Sequence, residues 1–555
     1  MPGSGDIPLR VITVHRAHAV SGVSVAGARL CAQRVTRHRW TPLVIGAEVT
    51  HAELASTPFA GMGAHIATWA KGAPIEEQVL IVRDALRELG AEVVVPHDLA
   101  VAFVAAAMER RRGVRTAFIA HGDDLTMHDY YERCVPLADA WCAVNGRIAR
   151  WIEANVPGAG RGRVLPCGMD VRGVEPVFRD GDGPLRLLYA GWIDTINKRA
   201  LDLASLVAGL RERGVAFLLR IAGEGPSLTK LRELLASDVA AGRVEFLGAL
   251  SLEGVGIEVE QCDALVLVSR AEGMPLVVME AMAGGRAVAI TEGCGGAAVA
   301  VRDGIEGVVV PVGDMSRMAD RLAGLASDRS ALRAMGLRGR EVALREFDLA
   351  SLAARFDGLI DDAVCAAADD SGDAGRVAER WIAMRSALEF VGDVSEHGLR
   401  RLAGEWLGAG EGLIGDDEFG MPGRAGPAAR RLREAAAALV IEGRTPFAIY
   451  GAGRHTRRLG RHIADLADFV AVVDDRAGSD PALGTHLFGR PVVTPRDPAL
   501  RDVRGVIVSS DEHEEELAAR AAGWAEGLAV RTLYADLRPA AGTGDGAGPY
   551  TDHRG

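Results

Sequence analysis

The chain is poor in the features that mark several common protein classes. Its seven cysteines (31, 134, 142, 167, 262, 294 and 365) are scattered, odd in number and form no CxxC pair. That is no disulfide framework, and it fits a reducing cytosol. No apolar run approaches the ~20 residues of a membrane span; the longest is Leu99–Met108. Met1–Pro8 is short and polar, and the apolar Arg10–Val14 runs at once into His15 and Arg16, so no secretory leader is expected. An excess of positive charge is also lacking. The net charge of −12 argues against general nucleic-acid binding, and an anionic ligand would have to be held by local cations and backbone amides. No cluster of His, Cys, Asp and Glu has metal-ligand spacing.

What is present is a rhythm. At about 150 residues per domain, a chain of this length predicts three to four domains. Strands are predicted at Arg10–Val14, Pro42–Ile45, Val93–Val95, Thr116–Ala120 and Trp141–Val144, with helices at Val25–Val35, Ile75–Leu89 and Ala100–Arg111. Val164–Asp170 closes this first unit, and Gly181–Gly183 reads as a hinge. A second series follows at Leu185–Ala190, Phe217–Ala222, Val244–Leu247, Ala264–Val268, Ala287–Ile290 and Val308–Val310, ending in a long helix at Leu349–Cys365. Strands alternating with helices predict an α/β fold: two doubly wound parallel-sheet (Rossmann-like) domains facing a cleft, plus a third, smaller α/β domain. The expected boundaries are 1–180, 181–366, a linker and helical segment at 367–426, an accessory Rossmann-like domain at 427–538, and a disordered tail at 539–555. Within 367–426, Ala366–Gly375 and Gly408–Gly426 read as linkers around a helical Arg376–Leu407.

The most specific local feature is Glu272-Gly273-Met274-Pro275-Leu276-Val277, with Glu280 eight residues after Glu272. It follows a buried strand, and Pro275 suits the first turn of a helix. One carboxylate then lies in the strand-to-helix loop and the other inside the helix, with the free N–H groups of the helix start between them. Two carboxylates that accept hydroxyls, flanking an anion site, suit a sugar, a diphosphate and a ribose in line. A glutamate before a helix can also serve only the helix dipole, so the rest of the chain has to decide. His97 and Asp98 follow one strand of the first unit, and His121-Gly122-Asp123-Asp124 follow another; either histidine could be a plain turn residue. In the second unit, Lys198 and Arg199 follow Gly191-Trp192, where a lysine could reach a phosphate as a compact charge. Gly223-Glu224-Gly225 and Gly293-Cys294-Gly295-Gly296 form tight turns that let a ligand approach the backbone.

In their order and spacing these pieces, together with Phe246-Leu247-Gly248, Asp303-Gly304, Glu306-Gly307, Val310–Asp314 and Pro166-Cys167-Gly168-Met169-Asp170, resemble the retaining glycosyltransferases of family 4, which have the two-domain GT-B fold. The resemblance spans residues 9–366. It implies a nucleotide-sugar-dependent transferase that keeps the anomeric configuration, acting in surface polysaccharide or glycoconjugate assembly. It implies catalytic roles for His121, facing the donor sugar, and for Glu272, binding its hydroxyls. Glu280 would hold the ribose, Lys198 the leaving diphosphate, and the donor-binding residues Gly273, Met274, Pro275, Leu276 and Val277, with the amides near Met274–Val277, the same region. Gly22 would lie under the phosphates, and Gly223 would be a further donor-binding residue at its tight turn. No cofactor or metal is implied; the donor would be a UDP- or GDP-sugar and the acceptor a glycan or lipid-linked sugar. Three positions depart from the family. Trp192 replaces an arginine expected to bind phosphate, so that Arg199 or Arg270 would have to substitute; Cys167 replaces an asparagine; and Ser21-Gly22 replaces a glycine pair.

The third unit holds Gly451, Gly453 and Thr456 after a strand, and Asp474 after the next, which is half of a dinucleotide fingerprint. Nucleotide binding and a docking role both fit. Basic residues Arg34, Arg37, Arg39, Arg110–Arg112 and Arg115 could support a peripheral contact with the inner membrane face of a cytoplasmic protein. Rival readings are a sugar-nucleotide epimerase, a silent scaffold that binds nucleotide sugars, and an NAD-dependent oxidoreductase built on the Gly451 loop.

Overall fold

The computed structural model describes residues 7–17, 21–32, 36–176, 183–366, 374–392 and 394–407, and interrupted runs between 432 and 532. Arg34, Gly181, most of the linker at 366–375, the segment 408–426, Gly453, Thr456 and the tail lie outside the described residues. The chain divides into two compact units, Met1–Gly426 and Pro427–Gly555.

The first unit contains two parallel sheets. Seven strands, β1 (Arg10–Arg16), β2 (Arg39–Ala47), β3 (His65–Trp69), β4 (Val93–Pro96), β5 (Arg115–Ala120), β6 (Ala140–Ala143) and β7 (Arg163–Val164), lie in the order β3-β2-β1-β4-β5-β6-β7. Six more, β8 (Leu185–Ala190), β9 (Phe217–Ala222), β10 (Val244–Gly248), β11 (Ala264–Leu267), β12 (Ala287–Thr291) and β13 (Val308–Val310), lie in the order β10-β9-β8-β11-β12-β13. The central strands are rich in apolar residues because helices cover both faces; all six residues of β5 and all four of β11 are buried. Strand β3 had no counterpart among the predicted strands. It is an edge strand with polar His65 and Thr68 and only Ala67 buried, so it carries little apolar periodicity.

Helix α1 spans Gly22–Ala32, starting three residues before its predicted position. Ser21 explains the early start, since its Oγ accepts from the Ser24 amide at 3.2 Å and caps the first turn. Helices α2 (Ile75–Glu88), α3 (Ala100–Glu109) and α4 (Leu125–Cys134) pack on the first sheet. In the second half, α5 spans Leu276–Ala283, with Pro275 as its N-cap residue rather than inside its first turn. Helix α6 (Leu349–Cys365) then returns to the first half and lies against β5 and β6.

The predicted helical segment Arg376–Leu407 is two helices, α7 (Ala374–Val391) and α8 (Glu396–Leu407). They cover the first half. All ten residues of α3 are buried, and α7 lays the fully buried Trp381, Met384, Ala387 and Leu388 on α3 and α4. Arg133 of α4, 1% exposed, is bonded to Asp129 at 3.0 Å and donates to the Ser386 carbonyl at 3.1 Å. Burying a guanidinium this deeply is tolerable only with such partners.

The second unit has a mixed sheet in the order β16-β17-β15-β14-β18-β19, built from β14 (Phe447–Tyr450), β15 (Phe469–Val473), β16 (His486–Leu487), β17 (Arg490–Val493), β18 (Gly505–Val508) and β19 (Ala529–Thr532). Only the β16–β17 pair is antiparallel.

Candidate functional site

In open parallel sheets, ligands bind beyond the C-terminal strand ends where the strand order reverses. In the first sheet that point lies between β1 and β4; in the second, between β8 and β11. His15 and His97 stand at the ends of β1 and β4. The loop carrying Lys198 leaves β8, and Glu272 follows β11.

The two switch points meet. The Asn145 side chain donates to the Gly273 carbonyl at 2.7 Å, joining the halves. A side chain at Gly273 would overlap the His121 carbonyl oxygen, so only glycine permits this approach. Gly22 lies beside Leu276, where an added Cβ would stand 3.8 Å from its Cγ. Gly223, at φ +141°, leaves no room for a side chain against the Gly191 carbonyl.

Lys198 and Glu272 form the centre of the second half. The Lys198 ammonium donates to both carboxylate oxygens of Glu272, at 2.6 and 2.7 Å, and Ser269 Oγ donates to Oε1 at 2.8 Å. The Asp194 carboxylate shapes the lysine loop by accepting from the amides of Ile196, Asn197 and Lys198 at 2.8, 2.8 and 3.1 Å. Met274, Pro275 and Leu276 are buried, and Val277 is partly buried. Glu280 lies one turn into α5, and its Oε1 is engaged by the guanidinium of Arg29. Arg29 escaped the sequence reading because 251 residues separate the partners.

Trp192, where the resemblance calls for arginine, is 56% exposed. Arg199 is held by Asp202 at 2.7 Å. The Arg270 amide donates to the Asn197 carbonyl at 2.7 Å.

His121 belongs to a stack of three buried histidines. His97 Nδ1 and His121 Nε2 are 3.1 Å apart, the His15 and His97 rings stack at 4.4 Å, and His15 Nε2 meets Thr13 Oγ1 at 2.9 Å. Cys167 Sγ lies 3.9 Å from His121 Nδ1. Burial lowers the pKa of His15 to about 3, with the nearby His121 adding to the effect, and that of His121 to about 4. Burial and both neighbours hold His97 well below its ordinary value. The ring stack is therefore neutral at pH 7 and can exchange hydrogen bonds, not charge, with a ligand.

This stack makes acid lability an expected property. Unfolded histidines titrate near 6.5, so below that pH the unfolded chain binds protons that the native stack refuses. The stability from the stack is present above pH 6.5 and is lost as pH falls toward 4. Asp98, pushed up to about 7 by burial and then by Asp124, works the other way. Its contribution is present below pH 3.8 and is lost as pH rises toward 7. Asp124, also raised by burial, acts with Asp98; three histidines against these two carboxyls leave a net loss on acidification. Melting temperature should fall by more than about 5 °C between pH 7 and pH 5; a flat profile in calorimetry would refute the neutral stack.

In the second unit, Gly451, at φ +103°, and Asp474 stand at the ends of the adjacent strands β14 and β15. Asp474 Oδ1 already accepts from the Arg476 backbone and side chain at 3.0 and 3.1 Å. Of the basic residues noted in the sequence, Arg37 is engaged by Asp361 and Arg110 by Asp139. Among the described residues, no helix is long and apolar enough to cross a membrane, and no group of three His, Cys, Asp or Glu is placed to hold a metal ion.

Residues 182–342 match the family described as Glycosyl transferases group 1. A stretch of 90 residues is 34% identical to the "Putative glycosyltransferase EpsF" of Bacillus subtilis (strain 168), covering 16% of this chain and 23% of that protein. The chain thus matches less than a quarter of that relative's length. Among solved structures, Anabaena Alr3699/HepE in complex with UDP and glucose is similar over 64% of this chain and 99% of its own, at 13% identity and a TM-score of 0.53. Sucrose-phosphate synthase from Thermosynechococcus elongatus is similar over 65% of this chain and 100% of its own, at 17% identity and a TM-score of 0.51. At such identities the likeness establishes the fold, and the two facing sheets are a GT-B arrangement. The match to the group 1 family falls wholly in the second half.

Proposed function

We propose that the protein transfers a sugar from a nucleotide-diphosphate sugar to a glycan or lipid-linked acceptor, with retention of anomeric configuration. The observation that carries this reading is Lys198 clamped to Glu272 at one switch point, with Glu280 one turn into α5 and the first half brought up to Gly273 by the Asn145 side chain and the His121 carbonyl. The ammonium and the amides at the start of α5 would neutralise the leaving diphosphate, which gains negative charge as the bond from anomeric carbon to phosphate oxygen breaks. Glu272 would accept from hydroxyls of the donor sugar, and Glu280 from the ribose. The departing phosphate oxygen would take the proton of the incoming hydroxyl on the same face, so the configuration is kept. The neutral His121 would line the sugar side without adding charge there. A cytoplasmic role in surface polysaccharide or glycoconjugate assembly follows from such a donor and acceptor.

Because Anabaena HepE was solved with UDP and glucose, UDP-glucose is the first donor to try. Thermal-shift screening of UDP-, GDP-, ADP- and dTDP-sugars is expected to find one that raises the melting temperature at saturation, followed by nucleotide release that depends on acceptor. Proton NMR of the product should show the donor's anomeric configuration. Stabilisation without release under any acceptor would instead indicate a scaffold, release without acceptor an epimerase or hydrolase, and an inverted product a different mechanism.

A further inference from the structure

Helix α1 brings a cation from the first half to the ribose end of the cleft. It runs alongside α5, with Gly22 beside Leu276 and Arg29 beside Glu280, two turns and one turn further along. Arg29 Nη2 donates to Glu280 Oε1, while Nη1 is buried and has no partner among the described residues. No hydrogen bond from a described residue reaches Glu280 Oε2. Side-chain exposures of 25% and 21% leave the pair partly open to solvent. The ion pair therefore presents one unused N–H donor and one unused carboxylate acceptor. A buried guanidinium N–H left without an acceptor is costly, so the site is incomplete as it stands. One hydroxyl, which both donates and accepts, or a vicinal pair of hydroxyls, would satisfy both atoms.

We infer that Arg29 is a donor-binding residue supplied by the first half, which reads the ribose hydroxyls together with Glu280 and so selects ribonucleotides over 2′-deoxyribonucleotides. This rests on the reading of the cleft as a nucleotide-sugar site. Lys198 lies with Glu272 at the other end of the α5 approach, so the two cations divide the ligand between them: Lys198 takes the diphosphate and Arg29 the ribose.

The test is calorimetric titration of the full chain with UDP, GDP and ADP, followed by the 2′-deoxy analogue of the tightest binder. Wild type should prefer the ribonucleotide by about tenfold or more, the usual scale for losing hydrogen bonds to charged groups. Arg29→Met should weaken the ribonucleotide by about tenfold and bring the two nucleotides within about twofold of each other. Arg29→Gln, which keeps a polar stem, carries the same expectation if the methionine variant melts early. If Arg29 only holds the halves together, both nucleotides weaken equally and their ratio is unchanged, which overturns the inference. Unchanged affinity in both variants overturns it as well. Wild type that binds none of the three nucleoside diphosphates defeats the nucleotide-sugar reading itself, and this inference with it.

Discussion

Lys198→Met is expected to lower turnover of the donor by about 10²–10³-fold, the scale of removing one preorganised electrostatic group from a reacting centre. The geometry makes the loss larger than that of one phosphate contact. The ammonium sits on both oxygens of Glu272, whose side chain is only 10% exposed. Without it, a carboxylate held by Ser269 alone would face the departing diphosphate, and like charges at short range in a partly buried site repel strongly. The double variant Lys198→Met/Glu272→Gln should therefore bind the donor more tightly than Lys198→Met alone, although it stays slow. Steady-state kinetics and donor titration of the three proteins test this. Turnover within twofold of wild type in Lys198→Met would remove the lysine from the mechanism.

Gly273→Ala is the second large expectation, and its cause is steric. The new methyl would occupy the position of the His121 carbonyl oxygen and stand 3.3 Å from Val144 Cγ2. A backbone oxygen cannot turn aside as a side chain can, so the halves must part at their point of contact. Overpacking of this kind costs about 1–3 kcal/mol, but each half keeps its own sheet, so the protein should still fold. Lys198, Glu272 and Glu280 all belong to the second half and should still hold the donor. What is lost is the placement of the first half against it, and a misplacement of about 1 Å can cost about 10²-fold. The expected signature is a fall in kcat of about that size with a much smaller change in donor affinity. A normal kcat would mean that this contact plays no part in catalysis.

Much of the candidate site was legible because its residues follow strands. His121 comes directly after an apolar run, and Glu272 and Lys198 lie in the loops that leave two others; the runs themselves were visible because central parallel strands are buried on both faces. Glu280 was legible through its spacing from Glu272 along one helix. The pairings were not. The Lys198–Glu272 clamp spans 74 residues and the Arg29–Glu280 contact 251, and no local pattern encodes such distances. Arg29 in isolation reads as an ordinary cation in the last turn of a helix. The histidine stack was half visible: His97 and His121 stood out at strand ends, whereas His15 lies inside β1 and reads as a strand residue. The role of residues 374–407 stayed hidden for another reason. Their helical pattern is plain, but the surface they cover, the wholly buried α3, precedes them by some 270 positions.

The return of α6 to the first sheet has a mechanical consequence. Chain passes from the first half to the second after Met169 and comes back at Asp348, and the two passages are stitched side by side. Met169 donates to the Phe347 carbonyl at 2.9 Å, Leu349 to the Met169 carbonyl at 2.9 Å, and Arg172 pairs with Asp348 at 3.0 Å. A door hung on two adjoining pins can swing but cannot slide. Nucleotide exit is then tied to an angular movement about this stitch, and its pace can be tuned by residues such as Arg172 and Asp348 that are not proposed to meet a substrate.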